Sequence, residues 1–173
     1  SLVAMVPVSV HGRSDRPGRN QVSGMFARLE TQIADPAERL KSIAEANSIA
    51  KEHSSAISAT LLQDWTQFAA PAVFGLAMRA YARTSLTKSR PVHNLVVSNV
   101  PGPQTPLYFL GNEVKAMYPL GPVFHGSGLN ITVMSLNGKL DVGLIACPEL
   151  VPDLWELADG FSVGIEELLL ATR

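Results

Sequence analysis

Cysteine occurs once in these 173 residues, at Cys147. A lone cysteine excludes an internal disulfide and a multi-cysteine metal site, which fits a reducing compartment. Its position at the close of an alternating strand pattern predicts a small core side chain. Charge is scarce too: Asp, Glu, Lys and Arg make up 17% of the chain, against about 25% in an average soluble domain. The 14 basic and 15 acidic residues leave a net charge of -1. There is no long run of one sign and no aromatic-interleaved basic patch, so nucleic acid is not expected as a partner. The four histidines, His11, His53, His93 and His125, stand apart from one another. None sits in a local arrangement that pairs a general base with an orienting carboxylate, so the sequence assigns no catalytic residue and no metal ligand. The apolar stretch 68–78 is 11 residues long, where a bilayer-spanning helix needs about 20. No basic leader precedes the apolar start, which contains Pro7, and no signal peptide is expected. The chain opens inside a strand-like run without a Met, which leads to the expectation that it was cut from something longer.

What remains is a chain with 46% apolar residues, of a length at which about 70% of the unfolded surface becomes buried. One domain over residues 1–173 is the expectation. With so little charge, some apolar surface is expected to face another lobe, another subunit or lipid. Residues 2–10 read as a strand, residues 11–20 as an exposed polar loop, and residues 24–31 as a short strand. Asp35-Pro36-Ala37-Glu38 is a helix start, with Asp35 as the cap and Glu38 placed to close a capping box. Leu40, Ile43, Ala44, Asn47 and Ala50 follow at helical spacing. A second helix is predicted over 59–85, bent near Pro71, with Arg79, Arg83, Lys88 and Arg90 at its basic end. That end reads either as a solvated terminus matched to the helix dipole or as a surface for membrane or an anionic ligand.

After Pro91 the pattern turns to strands. Residues 93–100 end in Pro101-Gly102-Pro103, and Gly111-Asn112 marks a turn between 107–109 and 114–118. Asn137-Gly138 predicts a two-residue type I′ hairpin, in which Leu136 faces Lys139, Val133 faces Val142, Ile131 faces Leu144 and Asn130 faces Ile145. One face of that hairpin is apolar: Leu129, Ile131, Val133, Val142, Leu144 and Ala146. The other bears the polar row Asn130, Thr132 and Asp141, and Gly143 leaves room there for a ligand or another chain. Pro152 opens a last helix, whose stripe of Leu154, Leu157, Ala158, Phe161, Ile165, Leu168 and Leu169, bordered by Trp155, is expected to pack on the apolar face. The resulting class is α+β, with a mixed, mostly antiparallel sheet covered by helices.

Three glycine- and proline-shaped turns cluster between the strands, and polar groups at strand ends are where sites are usually built. Ser98-Asn99-Val100-Pro101-Gly102-Pro103, then Tyr118-Pro119, then Gly126-Ser127-Gly128-Leu129-Asn130-Ile131-Thr132 supply the candidates. Substrate-binding candidates are Ser98, Asn99, Gly102, Tyr118, Gly126, Ser127, Asn130 and Thr132. Each has a plainer alternative: Asn99 bonded to its own turn, Tyr118 packed in the core, and His125 merely exposed in its glycine-rich loop. Gly126-Ser127-Gly128 is not a phosphate loop of the Walker kind, because no Lys-Ser/Thr follows it.

These motifs, together with Met5-Val6-Pro7-Val8-Ser9 and Leu150-Val151-Pro152-Asp153-Leu154, resemble the C-terminal half of the bacterial wax ester synthase and diacylglycerol acyltransferase family over nearly the whole chain. The resemblance implies a lobe like those of chloramphenicol acetyltransferase, where two α/β lobes face each other across a tunnel. It implies further that the family's His-His-x-x-x-Asp-Gly signature belongs to an N-terminal catalytic lobe absent from this chain. The activity implied is transfer of a long-chain acyl group from acyl-CoA, a co-substrate, to diacylglycerol or a fatty alcohol, with no cofactor. This lobe would form one wall of the tunnel. The partners implied are the N-terminal lobe, acyl-CoA, the acceptor alcohol, and peripherally the inner membrane face or lipid bodies of a cytoplasmic protein. The other readings are a stand-alone lipid- or acyl-chain-binding module and a structural subunit.

Overall fold

The structure is a computed structural model that describes residues 1–9, 22–56, 92–123 and 127–172. The predicted loop at 11–20, the predicted helix at 59–85 with its basic end, and His125 and Gly126 lie outside the described residues. The chain divides into two compact units, Ser1–His93 and Asn94–Arg173.

In the first unit, β1 (Val3–Ser9) runs antiparallel to β2 (Val22–Arg28), from Val3 opposite Arg28 to Ser9 opposite Val22. Ala4 and Ala27 face each other directly and are both buried. Helix α1 (Pro36–Ala56) packs against β2. Its start follows from the sequence: Asp35 Oδ1 accepts the Glu38 N–H at 2.8 Å, satisfying one of the free amides of the first turn. Arg39 then ties the approach down, donating from Nε to the Ile33 carbonyl at 2.8 Å and from Nη2 to the Ala34 carbonyl at 3.0 Å. The half-buried stripe of α1 runs through Arg39, Ile43 and Asn47. Leu40 and Ala44, expected on that stripe, are exposed, because the helix is rotated to bring the arginine stem and the amide inward.

In the second unit, β3 (Leu95–Val100) pairs in parallel with β6 (Leu129–Leu136), which pairs antiparallel with β7 (Lys139–Ala146). All four predicted hairpin pairings are present, and Asn137 (φ 46°) and Gly138 (φ 77°) both take the left-handed conformation a type I′ turn requires. A small hairpin, β4 (Tyr108–Phe109) with β5 (Asn112–Glu113), turns on Leu110 (φ 50°) and Gly111 (φ 82°). The turn therefore sits one residue before the predicted Gly111-Asn112 pair. Within the two units, β1–β2, β4–β5 and β6–β7 are antiparallel and β3–β6 is parallel, and a helix packs on each unit's strands. The class is α+β with a mixed, mostly antiparallel sheet, as the element order predicts.

Helix α2 (Leu154–Ala171) contacts β7. It begins after Asp153, two residues later than Pro152, and has no side-chain cap. Leu154, Leu157, Ala158, Phe161 and Leu168 are half-buried, but Ile165, Leu169 and Trp155 are exposed. The apolar arc is wider than the strand beneath it can cover. Cys147 lies just beyond β7, half-buried rather than in the core, and its Sγ donates to Glu149 Oε2 at 2.7 Å. That bond, followed by one from Glu149's own backbone, holds the Glu149 carboxyl below its ordinary range.

The ring of His93 stands 6.1 Å from that of Phe26, tilted by 40°. Its Nε2 is buried without a partner, and desolvation lowers its pKa from 6.5. The neutral ring is the folded form, so the unfolded chain takes up the proton first as pH falls past 6.5, and stability drops there. The urea midpoint of the wild type is expected to fall between pH 7.5 and 5.5 by more than that of His93→Gln. Parallel curves for the two proteins would place the pH dependence elsewhere.

Candidate functional site

Two structural features gather the candidate residues. The first is the exit of β3. Side chains alternate along a strand, so Ser98 and Asn99 point to opposite faces, Ser98 beside Thr132 on β6 and Asn99 beside Val133. Asn99 is exposed and Ser98 half-buried. The chain then leaves the sheet through Pro101-Gly102-Pro103-Gln104 and lies on the tip of the β6–β7 hairpin. Gly102 N–H donates to Ser135 Oγ at 3.1 Å, and Asn137 N–H donates to the Pro103 carbonyl at 3.0 Å. Gln104 closes the contact at both ends of its amide: Oε1 accepts the Gly138 N–H at 3.1 Å, while Nε2 donates to Ser135 Oγ at 3.2 Å and to the Gly102 carbonyl at 3.0 Å. A side chain at Gly102 would place its Cβ 2.1 Å from the Ser135 carbonyl oxygen, so only glycine allows this approach.

The second is the polar face of the sheet. Register puts Val96, Asn130 and Ile145 in one row, Ser98, Thr132 and Gly143 in the next, and Val100, Met134 and Asp141 in a third. Three of the polar members are deeply buried: Asn130 is 3% exposed, Thr132 6% and Asp141 9%. What covers them is the chain's own segment 117–122, laid across the strands as a strap. Met117 N–H donates to Asp141 Oδ2 at 2.7 Å, and Asn130 Nδ2 donates to the Pro122 carbonyl at 3.1 Å. Thr132 Oγ1 donates to Asn130 Oδ1 at 2.8 Å. The room expected above Gly143 is filled: a Cβ there would stand 1.7 Å from the Pro119 carbonyl oxygen. The close approach inferred from that glycine is real, and the approaching chain is the protein's own.

The candidates therefore do not form one cluster. Ser98, Asn130 and Thr132 share the strapped face, Gly102 belongs to the loop clamp, and Tyr118 rides on the strap with its ring exposed. Tyr118 is thus not the core residue of the plainer reading. Asn99 is on the opposite face, and Gly126 lies outside the described residues. Ser127 is 2% exposed and its Oγ has no hydrogen-bond partner, a burial that ordinarily costs about 1–3 kcal/mol. Sequence reasoning missed Gln104, Ser135 and the structural role of Asp141. The carboxylate alone carried a readable signal, because a charge on the inward side of a strand must find a donor. Among the described residues no group of His, Cys, Asp and Glu is placed to hold a metal ion.

A family model described as the WS/DGAT C-terminal domain matches residues 19–169. A Mycobacterium tuberculosis protein provisionally named a diacylglycerol O-acyltransferase is 58% identical over 168 residues, covering 97% of this chain and 33% of the relative. An Acinetobacter baylyi protein named O-acyltransferase WSD is 35% identical over 156 residues, covering 90% of this chain and 33% of its own length. Among solved structures, the wax ester synthase/diacylglycerol acyltransferase from Marinobacter aquaeolei VT8 superposes with a TM-score of 0.74 at 32% identity. The match covers 99% of this chain and 38% of that one. The lobe implied by the motif resemblance is thus a fold the chain shares with part of that enzyme. The chain spans about a third of the length of the curated relatives it matches.

Two glycines separate the strap contact from general glycine loss. Gly143→Ala must push back a backbone carbonyl and is expected to cost more than about 2 kcal/mol. Gly160→Ala, on α2 with nothing within 4 Å of the new Cβ, is expected to be neutral or to stabilise by about 0.5–1 kcal/mol. Urea unfolding of both variants checks this, and equal effects would contradict the strap geometry.

Proposed function

The chain belongs to the WS/DGAT C-terminal domain family, and from that premise we propose that it acts as the C-terminal lobe of an acyl-CoA-dependent O-acyltransferase. The acyl group passes to diacylglycerol, giving triacylglycerol, or to a fatty alcohol, giving a wax ester. The observation that carries this reading is the match to a C-terminal domain over 151 of the 173 residues, 19–169, in relatives about three times as long. In the proposed chemistry a histidine of the N-terminal lobe takes the proton of the acceptor hydroxyl. The oxygen attacks the thioester carbonyl, the C–S bond breaks, and the CoA thiolate leaves with the proton returned to sulfur. Acyl-CoA is a co-substrate here and no cofactor is invoked.

This lobe contributes a wall of the substrate tunnel. Asn99 is the candidate with an exposed polar end on the face away from the strap, and it is held at the mouth of the clamped Pro-Gly-Pro loop. A loop already fixed by hydrogen bonds loses little entropy when substrate binds. Ser98, Asn130 and Thr132 support the same wall from the strapped face. No helix among the described residues is long and apolar enough to cross a membrane. On the two-lobe reading, the apolar acyl and acceptor substrates bring a cytoplasmic enzyme peripherally to the inner membrane face or lipid bodies.

The test is reconstitution. The 173-residue chain alone is expected to transfer no acyl group. Co-expressed with the N-terminal two thirds of the M. tuberculosis relative, it is expected to release CoA from long-chain acyl-CoA in the presence of diacylglycerol or a long-chain alcohol. Asn99→Ala in the pair should lower turnover about tenfold, a loss of about 1.4 kcal/mol, with unchanged thermal unfolding. Turnover by the isolated chain would overturn the two-lobe reading, and full activity of Asn99→Ala would remove that residue from the wall.

A further inference from the structure

Between the Pro-Gly-Pro loop and β6 the chain shows a run of large apolar side chains to the outside. Tyr108, Phe109 and Leu110 at the β4–β5 hairpin, and Tyr118 and Leu120 on the strap, are each two-thirds or more exposed, with Met117 and Val123 more than a third. None of this follows from loose packing. Leu110 sits at the tip of a tight turn with a positive φ, and the strap is pinned from below through Met117 and Pro122. On the strap, the side chains are held outward on a support pinned at both ends. Large exposed apolar side chains concentrated in the one segment 107–123 are the mark of an interaction site rather than of ordinary monomer surface, where such residues are scattered singly.

Charge selects the occupant. Residues 107–123 contain two charged side chains, Glu113 and Lys115, and these pair with each other. A surface that binds an anionic bilayer combines aromatics with free Lys or Arg, and this one has no unpaired cation. A charge-depleted, aromatic-rich patch is instead the composition of the core of a protein interface. In the relatives, about two thirds of the polypeptide lies outside the matched region, a length of chain able to cover such a face.

We propose that the outward side of residues 107–123 is the docking surface for the N-terminal two thirds of a WS/DGAT polypeptide, met there by an apolar, charge-poor protein face. The inference rests on the two-lobe reading above and adds to it the place of contact. On this account the strap has two jobs on its two sides: it covers the polar row of its own sheet and presents Tyr118 and Leu120 to the other lobe.

The test uses the co-expressed pair, with a photoreactive benzophenone amino acid in place of Phe109 or, separately, Tyr118. Both sites are expected to cross-link to the N-terminal partner. In the double variant Phe109→Asp with Tyr118→Asp, co-purification of the partner should fall at least tenfold while the chain's own unfolding midpoint is unchanged, since both rings are exposed in it. Cross-links confined to residues 1–93 of the same chain, to a second copy or to phospholipid would overturn the proposal, as would co-purification unaffected by the two aspartates. If the wild-type pair does not co-purify at all, the two-lobe reading itself fails. If it co-purifies and turns over acyl-CoA while cross-linking elsewhere, only the assigned surface is wrong.

Discussion

A carboxylate buried on the inner side of a β-strand has to find a donor, and much of the second unit follows from how Asp141 finds one. Its partner is the backbone N–H of Met117, 24 positions back in the chain. That bond and the Asn130 amide bond to Pro122 hold segment 117–122 across β6 and β7. Without the strap, Asn130, Thr132 and Asp141 would face water or stand unpaired, and an unpaired buried charge costs several kcal/mol. With it, a row of polar residues becomes an internal network, and the glycines at 121 and 143 are required because backbone and side chain come within contact of each other there.

The strap also fixes what the sheet can offer to a substrate. Polar residues on a strand face invite the reading of a binding surface, yet here their hydrogen-bonding capacity is turned inward. The groups presented outward are apolar ones on the strap's far side, together with Asn99 at the end of β3. The Pro-Gly-Pro-Gln loop extends the same logic. Its hydrogen bonds to Ser135, Asn137 and Gly138 join the exit of β3 to the hairpin tip, so Asn99 is presented from a support tied down at both ends. A lobe built this way is suited to forming a wall: rigid, poor in charge and shaped by backbone contacts.

How much of this was legible in the sequence depended on whether the determining chemistry was local. Asn137-Gly138 fixed its hairpin and register because both residues tolerate positive φ, and Asp35 fixed the start of α1 because its cap bond spans three residues. The β4–β5 turn was displaced by one residue because Leu110 takes a positive φ that local rules reserve for glycine or asparagine. On α2 the periodicity correctly marked one apolar arc, but the number of its residues that are covered depends on the width of β7. Gly143 announced a close approach without naming what approaches, since Pro119 and Gly143 are distant in sequence. The ordered motifs from Ser98 to Thr132 identified the family, while the placement of their side chains on two faces required the β3–β6 register.

The strap's attachment to the buried polar row is the claim on which this account turns, and amide hydrogen exchange at Met117 reads it directly. The Met117 N–H should exchange as slowly as the amides of β6 and β7, because it is hydrogen-bonded to a buried carboxylate and is released only when the sheet opens. Exchange at the rate of an open loop, with β6 and β7 still protected, would mean that the segment is not pinned and that the polar row is covered in some other way.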